Sequence, residues 1–138
     1  MQVELSISLH GPDDKTRSRL MPINKKYPLS ELIGACGEYI NKTNRQITFE
    51  YVLIKGQNDS AGNAKALEGL LKDMGSLAKV NLITFNAVNG FGFVAPQPGA
   101  VKDFKAVLDK GKIMSTIRVS RGTDIDAACG QLRLRHEK

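Results

Sequence analysis

The sequence predicts an α/β fold built from four parallel strand–helix units. Three observations support this class: four stretches alternate apolar and polar residues, helical apolar stripes lie between them, and Pro, Ser and Gly mark the boundaries. Strand-then-helix units in series imply parallel strands joined by right-handed crossovers. The length of 138 residues suits one hydrophobic core, so we expect residues 1–138 to form a single domain.

The four predicted strands each combine alternation with β-branched or aromatic residues. They are VELSISL at 3–9, ITFEYVLIKG at 47–56, KVNLITF at 79–85 and STIRVS at 115–120. Residues 11–27 between the first strand and the first helix are predicted to form a long loop, and long loops in compact domains are often functional.

The predicted helices follow apolar stripes of helical period. The stripes are Leu29, Leu32, Ile33, Cys36 and Ile40; Leu67, Leu70, Leu71 and Met74; and Val101, Phe104, Val107 and Leu108. Pro28 and Pro98 suit the first turn of a helix, Ser60 suits an N-cap, and Gly75 and Gly111 suit helix exits.

The strands predict a sheet with one apolar and one polar face. Parallel strands covered on both faces are apolar almost throughout, whereas here Leu5, Ile7 and Leu9 alternate with Ser6, Ser8 and His10. The second strand opposes Phe49, Tyr51 and Leu53 to Thr48 and Glu50, the third opposes Asn81 to Val80 and Leu82, and the last opposes Ile117 and Val119 to Thr116, Arg118 and Ser120. The polar face is either a ligand site or the wet side of an open sheet.

A ligand site of a (β/α) barrel lies at the carboxyl ends of its strands. The segments expected around such a site are Ser8 to His10, Lys55 to Asn58, Asn86 onward and Ser120 onward. His10 at a strand end either contacts a ligand or caps the following loop, and the sequence leaves both readings open.

The net charge of +6 is concentrated in two basic zones. One contains Lys15, Arg17, Arg19, Lys25 and Lys26, and the other contains Arg118, Arg121, Arg133, Arg135 and Lys138. Such zones indicate either a polyanionic partner such as RNA or a solvated basic surface.

Several classes of protein do not fit the sequence. No apolar run approaches a membrane span, and the N-terminus does not follow signal-peptide order, so we expect a cytoplasmic protein. The two cysteines form no C-x-x-C pair, and the glycines of NGFGF at 89–93 form no dinucleotide-binding motif.

The two cysteines have different contexts. Cys36 lies on an apolar helical stripe and is expected in the core. Cys129 lies in TDIDAACGQL, where Arg118, Arg121 and Arg133 would favour a thiolate and the end of a short helix would disfavour it. From these residues alone, Cys129 is either a packed core residue or a nucleophile.

Four segments of the chain resemble the C-terminal half of RlmN/Cfr-type radical SAM RNA methyltransferases. They are SISLHGPDDKTRSRLMPINKKYPLSEL, TFEYVLIKGQNDS, KVNLITFN and SRGTDIDAACGQL. The resemblance leaves only Leu134 to Lys138 outside it and implies half of a partial (β/α) barrel plus a C-terminal extension. The family methylates carbon 2 or carbon 8 of an adenine in large-subunit ribosomal RNA, and the carbon-2 type also acts on transfer RNA.

The resemblance assigns roles to five residues. By position, Ser8, Leu9, His10 and Asn86 match residues that contact S-adenosylmethionine, and Cys129 matches the methyl-carrying cysteine. In the family that thiolate takes a methyl group from one S-adenosylmethionine, and a 5′-deoxyadenosyl radical made from a second abstracts hydrogen from the S-methyl group. The resulting carbon radical adds to the adenine, and the sulfur later leaves through disulfide formation.

The departures from the family define what we expect of this chain. The C-x-x-x-C-x-x-C cluster motif, a glycine-rich S-adenosylmethionine strand, the resolving cysteine and the RNA-binding domain all precede the region that this chain matches. LITFNA also replaces the family's LIP-x-NP at 82–87. We therefore expect a truncated relative that holds no iron–sulfur cluster, binds S-adenosylmethionine weakly or not at all, and is not catalytic alone.

The expected partners follow from the same incomplete barrel. The strands at 3–9 and 115–120 should be sheet edges, and edges invite pairing. We expect a homodimer through these edges or through the polar face, or else a complementary N-terminal half. RNA is a further candidate, with Lys15, Arg17, Arg19, Lys25, Lys26, Arg118 and Arg121 as the contact residues.

Overall fold

The computed structural model describes residues 5–20, 28–84 and 94–119. Its elements in chain order are β1 (Leu5–Ser8), α1 (Asp14–Leu20), α2 (Leu29–Thr43), β2 (Ile47–Val52), α3 (Ala61–Leu71), a 3₁₀ segment (Lys72–Leu77), β3 (Ala78–Thr84), α4 (Pro98–Lys110) and β4 (Met114–Val119). The four strands form one parallel sheet in the order β1-β2-β3-β4. This arrangement confirms the predicted α/β class, and β1 and β4 are the outer strands of the described sheet.

The hydrophobic core lies between one face of the sheet and helices α2, α3 and α4. Its buried residues include Leu29, Cys36 and Ile40 from α2; Ala64, Leu67 and Leu71 from α3; Val101, Phe104 and Leu108 from α4; and Leu9, Ile47, Phe49, Tyr51, Leu53, Ala78, Val80 and Leu82 from the strands and their ends. The prediction that Cys36 is a core residue is confirmed, because it is 3% exposed. Burial also raises the pKa of its thiol.

The helix boundaries agree with most of the predicted capping residues. The Ser60 hydroxyl accepts a 3.0 Å hydrogen bond from Asn63 N–H, and Asn63 Oδ1 accepts one from Ser60 N–H at 3.1 Å, which forms a capping box. Pro98 occupies the first turn of α4, and Gly111 follows its last residue. Pro28 instead occupies the N-cap of α2, one position before the expected first turn.

Three segments differ from the sequence-based expectation. Residues 11–27 were expected to form a loop, but they contain the seven-residue helix α1. The second strand was expected over 47–56, but β2 ends at Val52 and a turn follows. The helix with the stripe from Leu67 to Met74 is predicted to end at Gly75, but α3 ends at Leu71 and Gly75 lies in the 3₁₀ segment with φ of 60°.

Strand β4 presents less of its apolar side to the core than its alternation predicted. Ile117 and Val119 share the helix-facing side of the sheet, yet they are 41% and 60% exposed, while Ser115 on the same side is 7% exposed. Ser115 is buried because it lies next to α4, where its hydroxyl donates to Asp109 Oδ1 at 3.1 Å. The helix-facing side of β4 is therefore covered at Ser115 and exposed at Ile117 and Val119, although the alternation predicts a buried apolar side there.

Within residues 5–20, 28–84 and 94–119, no helix is both long enough and apolar enough to cross a membrane.

Candidate functional site

A row of polar side chains crosses the face of the sheet that the helices leave uncovered. The strand register aligns Ser8 with Glu50, Glu50 with Asn81, and Asn81 with Thr116. The Thr116 hydroxyl donates to Asn81 Oδ1 at 2.6 Å, and all four residues are half-buried or exposed. We call Ser8, Glu50, Asn81 and Thr116 the polar row.

His10 lies just beyond the carboxyl end of β1. Its backbone is left-handed, with φ of 56°, and its side chain is 3% exposed. Its Nδ1 accepts a hydrogen bond from the backbone N–H of Val52 at 2.9 Å. Because an accepting Nδ1 carries no proton, the neutral ring has its proton on Nε2. Within the described residues, Nε2–H has no hydrogen-bond partner, although the ring is buried.

The charge state of His10 is set by its surroundings. Burial, together with the smaller effect of the positive charge of Arg17, lowers the pKa of its imidazole from 6.5 to about 4. The ring is therefore neutral at pH 7 and acts as an acceptor at Nδ1 and a donor at Nε2.

Asn58 holds the strand ends together from the turn after β2. Its Nδ2 donates to the carbonyl oxygens of His10 at 3.0 Å and Val52 at 2.8 Å, and its Oδ1 accepts from Ile54 N–H at 2.8 Å. The residue is fully buried. Its amide thus satisfies three backbone groups that no strand neighbour reaches.

Tyr51 supports this amide from the core side. Its hydroxyl donates to the backbone carbonyl of Asn58 at 2.7 Å, and its ring packs against Phe104 with 5.2 Å between centroids. Burial raises the pKa of Tyr51, with the charges of Asp13 and Asp59 acting in the same direction, so the phenol stays protonated and donates.

Arg17 connects helix α1 to the end of β1. Asp13 Oδ1 accepts from Thr16 N–H at 2.8 Å and so caps the helix. The Arg17 guanidinium donates from Nε to the Leu9 carbonyl at 3.1 Å and from a terminal nitrogen to the Ser8 carbonyl at 3.2 Å. Burial lowers the pKa of Arg17, and the Asp14 carboxylate opposes that shift.

The predicted S-adenosylmethionine contacts lie in different environments. The Ser8 side chain belongs to the polar row, and His10 lies at the strand end above it. The Leu9 side chain is fully buried in the helix-side core, and its N–H donates to the Glu50 carbonyl at 2.9 Å. Asn86 and Cys129 lie outside the described residues.

The predicted RNA-contacting residues do not form one patch in the described part of the chain. Lys15 on α1 and Arg118 on β4 are exposed, and they lie toward opposite edges of the sheet. Arg17 is 5% exposed, and its guanidinium donates to the chain's own carbonyls. The remaining candidates are Lys25, Lys26 and Arg121, which lie outside the described residues, and Arg19, whose side chain does as well.

Sequence reasoning found part of this arrangement. It placed Asn58 in a segment near the strand ends, but nothing in the alternation pattern indicated that its amide would span two strands. The sequence placed Arg17 in a basic zone, because an arginine in a polar, basic segment carries no sign of burial. An Asp13–Thr16 capping spacing was the available signal for helix α1.

Within the described residues, no group of three His, Cys, Asp or Glu side chains could hold a metal ion.

Comparisons with known proteins identify the family. A scan of models of protein families found none that matches this chain. Along its whole length, however, the chain is 50% identical to a probable dual-specificity RNA methyltransferase RlmN of Thermoanaerobacter sp. (strain X514), and it covers 40% of that protein. It is also 50% identical over 131 residues to the dual-specificity RNA methyltransferase RlmN of Anaeromyxobacter dehalogenans (strain 2CP-C). That match covers 95% of this chain and 35% of the relative. The chain is a homologue of the C-terminal portion of RlmN-type proteins.

A solved structure agrees with the RlmN-type assignment. The crystal structure of a radical SAM methyltransferase from Sphaerobacter thermophilus matches with a TM-score of 0.80 and 47% identity, over 98% of this chain and 39% of that one. The predicted resemblance to RlmN-type proteins and the half of a radical SAM barrel are thereby confirmed. The chain spans about 40% of the length of the RlmN relatives that it matches.

Proposed function

We propose that this chain supplies the S-adenosylmethionine-binding and methyl-carrying portion of an RlmN-type site that methylates adenine in RNA. The observation that carries the proposal is the identity of 50% along the whole chain with an RlmN relative. It is supported by the geometry of the strand ends, where the buried His10 Nε2–H, two residues beyond Ser8 of the polar row, has no hydrogen-bond partner among the residues that the structure describes.

The chemistry of the strand ends suits S-adenosylmethionine. That molecule carries an ammonium, a carboxylate, ribose hydroxyls and an adenine, and it supplies a methyl group on a sulfonium. The Glu50 carboxylate can accept from the ammonium or a ribose hydroxyl, the Ser8 hydroxyl can donate or accept, and His10 Nε2–H can donate to an oxygen or ring nitrogen. Such a mixture of donors and acceptors at one end of the sheet is what a zwitterionic nucleoside requires.

The residues of this chain do not fit an iron–sulfur cluster. The chain has two cysteines, and Cys36 is buried in the core between α2 and the sheet. A cluster of the C-x-x-x-C-x-x-C type needs three cysteines close in sequence. The proposal therefore assigns the cluster to residues outside these 138 and expects no methylation by this chain alone.

A chimera tests the proposed function directly. This chain would replace the matching C-terminal portion of the Thermoanaerobacter relative, and methylation of adenine in RNA would be measured with the intact relative as the positive control. We expect the chimera to methylate RNA and its Cys129→Ser variant to lose that activity, because a hydroxyl is a much poorer methyl acceptor than a thiolate. A folded chimera without activity, or an active Cys129→Ser chimera, would overturn the proposal.

The RNA contact has its own test. Lys15 and Arg118 are the exposed candidates among the described residues, and each phosphate contact should steepen the dependence of binding on salt. Substituting both with Gln should weaken binding of the chimera to its RNA and flatten that dependence, whereas Lys102→Gln on α4 serves as an exposed control. RNA binding that does not change with salt would remove this part of the proposal.

We also propose that the outer strands pair with a partner, either a second copy or the portion that precedes this region in RlmN relatives. The observation in its favour is that β4 exposes three large apolar side chains, Met114 at 51%, Ile117 at 41% and Val119 at 60%. Light scattering should show a dimer at high protein concentration, and Ile117→Lys should shift it toward the monomer. A monomer at every concentration would contradict the self-association version.

A further inference from the structure

We propose that Asn58 is a positioning residue of the strand-end site, which holds His10 so that its Nε2–H is presented to S-adenosylmethionine. The ligand in this statement rests on the proposed function. The positioning itself rests on the hydrogen bonds of Asn58, His10 and Val52, which can be tested without any ligand.

The backbone pairing of β1 and β2 stops just after Leu9. The last backbone hydrogen bond between the strands runs from Leu9 N–H to the Glu50 carbonyl, at 2.9 Å. In a continued parallel ladder, the Val52 N–H would donate to the Leu9 carbonyl and the Val52 carbonyl would accept from the N–H of residue 11, but the Leu9 carbonyl accepts from Arg17 Nε instead. His10 Nδ1 accepts a hydrogen bond from the Val52 N–H at 2.9 Å, and Asn58 Nδ2 donates one to the Val52 carbonyl at 2.8 Å. Two side chains therefore take the place of backbone groups of β1 at this end of the sheet.

Asn58 also fixes the backbone of His10. The same Nδ2 that bonds Val52 also donates to the His10 carbonyl at 3.0 Å, so one amide group joins the two strand ends. Its Oδ1 is held by Ile54 N–H at 2.8 Å, which prevents the amide from turning over. His10 has φ of 56°, a conformation that a non-glycine residue keeps only when its surroundings determine it.

The His10 ring is held in one tautomer. Because Val52 N–H donates to Nδ1, only the tautomer with a proton on Nε2 preserves that bond. The ring stays at this distance only while the His10 backbone stays in place, and Asn58 holds that backbone. Asn58 thus acts on a ligand through His10 rather than by touching it, since both atoms of its amide are engaged by backbone groups.

The test compares the whole chain with Asn58→Leu, which keeps the branching at Cγ and removes all three hydrogen bonds. A second variant, Asn58→Asp, keeps an acceptor for Ile54 N–H and loses both donated bonds, so it serves if the first does not fold. Leu108→Ala, in the core under α4, controls for a general loss of stability. Nitrogen NMR of the imidazole reports the His10 tautomer in this chain, and calorimetry on the chimera with the Thermoanaerobacter relative, carrying the same substitutions, reports the affinity for S-adenosylmethionine.

We expect the parent and Leu108→Ala to show one tautomer with the proton on Nε2, and the Asn58 variants to show a mixture. We also expect the Asn58 variants to bind S-adenosylmethionine about tenfold more weakly, with Leu108→Ala unchanged. A folded Asn58 variant with one tautomer and parental affinity would overturn the inference. If the unsubstituted chimera binds no S-adenosylmethionine, the proposed ligand is wrong, and the tautomer comparison alone then decides whether Asn58 positions His10.

Discussion

The Nδ1 atom of His10 accepts a hydrogen bond from the backbone N–H of Val52, at 2.9 Å. A ring nitrogen thus occupies the place of a strand carbonyl, immediately beyond the last backbone bond between β1 and β2. An imidazolium has protons on both nitrogens, so protonation of His10 and this hydrogen bond exclude each other. The end of the sheet is therefore sensitive to acid at one defined position.

Stability should fall as the pH is lowered through the range from 6.5 to about 4, because His10 has a folded pKa of about 4 and an ordinary value of 6.5. In that range the unfolded chain binds the extra proton, so the contribution of His10 is complete above pH 6.5 and is lost on acidification. The total loss should be on the order of 3 kcal/mol. Urea unfolding at a series of pH values measures it.

The matched control for this pH dependence is His10→Gln, which has no titratable group and should flatten the curve in that range. NMR titration gives an independent readout, because His136 is the only other histidine and its signal can be separated by this variant. A His10 ring that titrates near pH 6.5 in the folded chain would contradict the prediction.

Replacing Arg17 with Ala should destabilise the chain by about 2 kcal/mol, because the carbonyls of Ser8 and Leu9 would lose their donors in a buried setting. Arg17→Lys should recover only part of this loss, since an ammonium lacks the planar fork that reaches both oxygens. Urea unfolding provides the measurement. Lys15→Ala, on the exposed side of the same helix, should change stability by less than about 0.5 kcal/mol; an equal effect of both substitutions would refute the internal role of Arg17.

The sheet and its core could be predicted because they depend on periodic burial. In β2, Phe49 and Tyr51 are fully buried while Glu50 between them is half-buried, which is the alternation that the sequence displays. A helix stripe such as Val101, Phe104 and Leu108 likewise matches the buried side of α4. Periodicity carries this information because every turn of a helix or every second strand residue meets the same environment.

The strand-end network could not be predicted from such patterns. Val52 through Ile54 continue the apolar run of β2, so the sequence extends the strand, whereas Asn58 and His10 take over its backbone groups. The contacts of His10 with Val52 and with Asn58 join residues that are 42 and 48 positions apart. Each depends on one side chain rather than on a repeated pattern. The same limitation concealed Arg17, which is buried through two specific carbonyls.

Tyr51→Phe should destabilise the chain by about 1 kcal/mol, because it removes the donor to the buried Asn58 carbonyl and leaves the packing on Phe104 in place. Tyr39→Phe on α2 is a matched control, since Tyr39 is half-buried and should tolerate the change nearly without loss. Thermal or urea unfolding of both variants gives the comparison. A loss no larger in Tyr51→Phe than in Tyr39→Phe would show that the phenol does not support Asn58.

The same substitution should have opposite effects at two glycines. A Cβ at Gly11 would lie 2.8 Å from the backbone nitrogen of Arg17, so Gly11→Ala must push α1 away from the end of β1 and should cost about 2 kcal/mol. A Cβ at Gly34, exposed within α2, would meet nothing within 4 Å, so Gly34→Ala should stabilise the chain by about 0.5 to 1 kcal/mol through helix propensity. Urea unfolding of the two variants and the parent measures both signs. If Gly11→Ala were as stable as the parent, α1 would not pack against the strand end as closely as these contacts require.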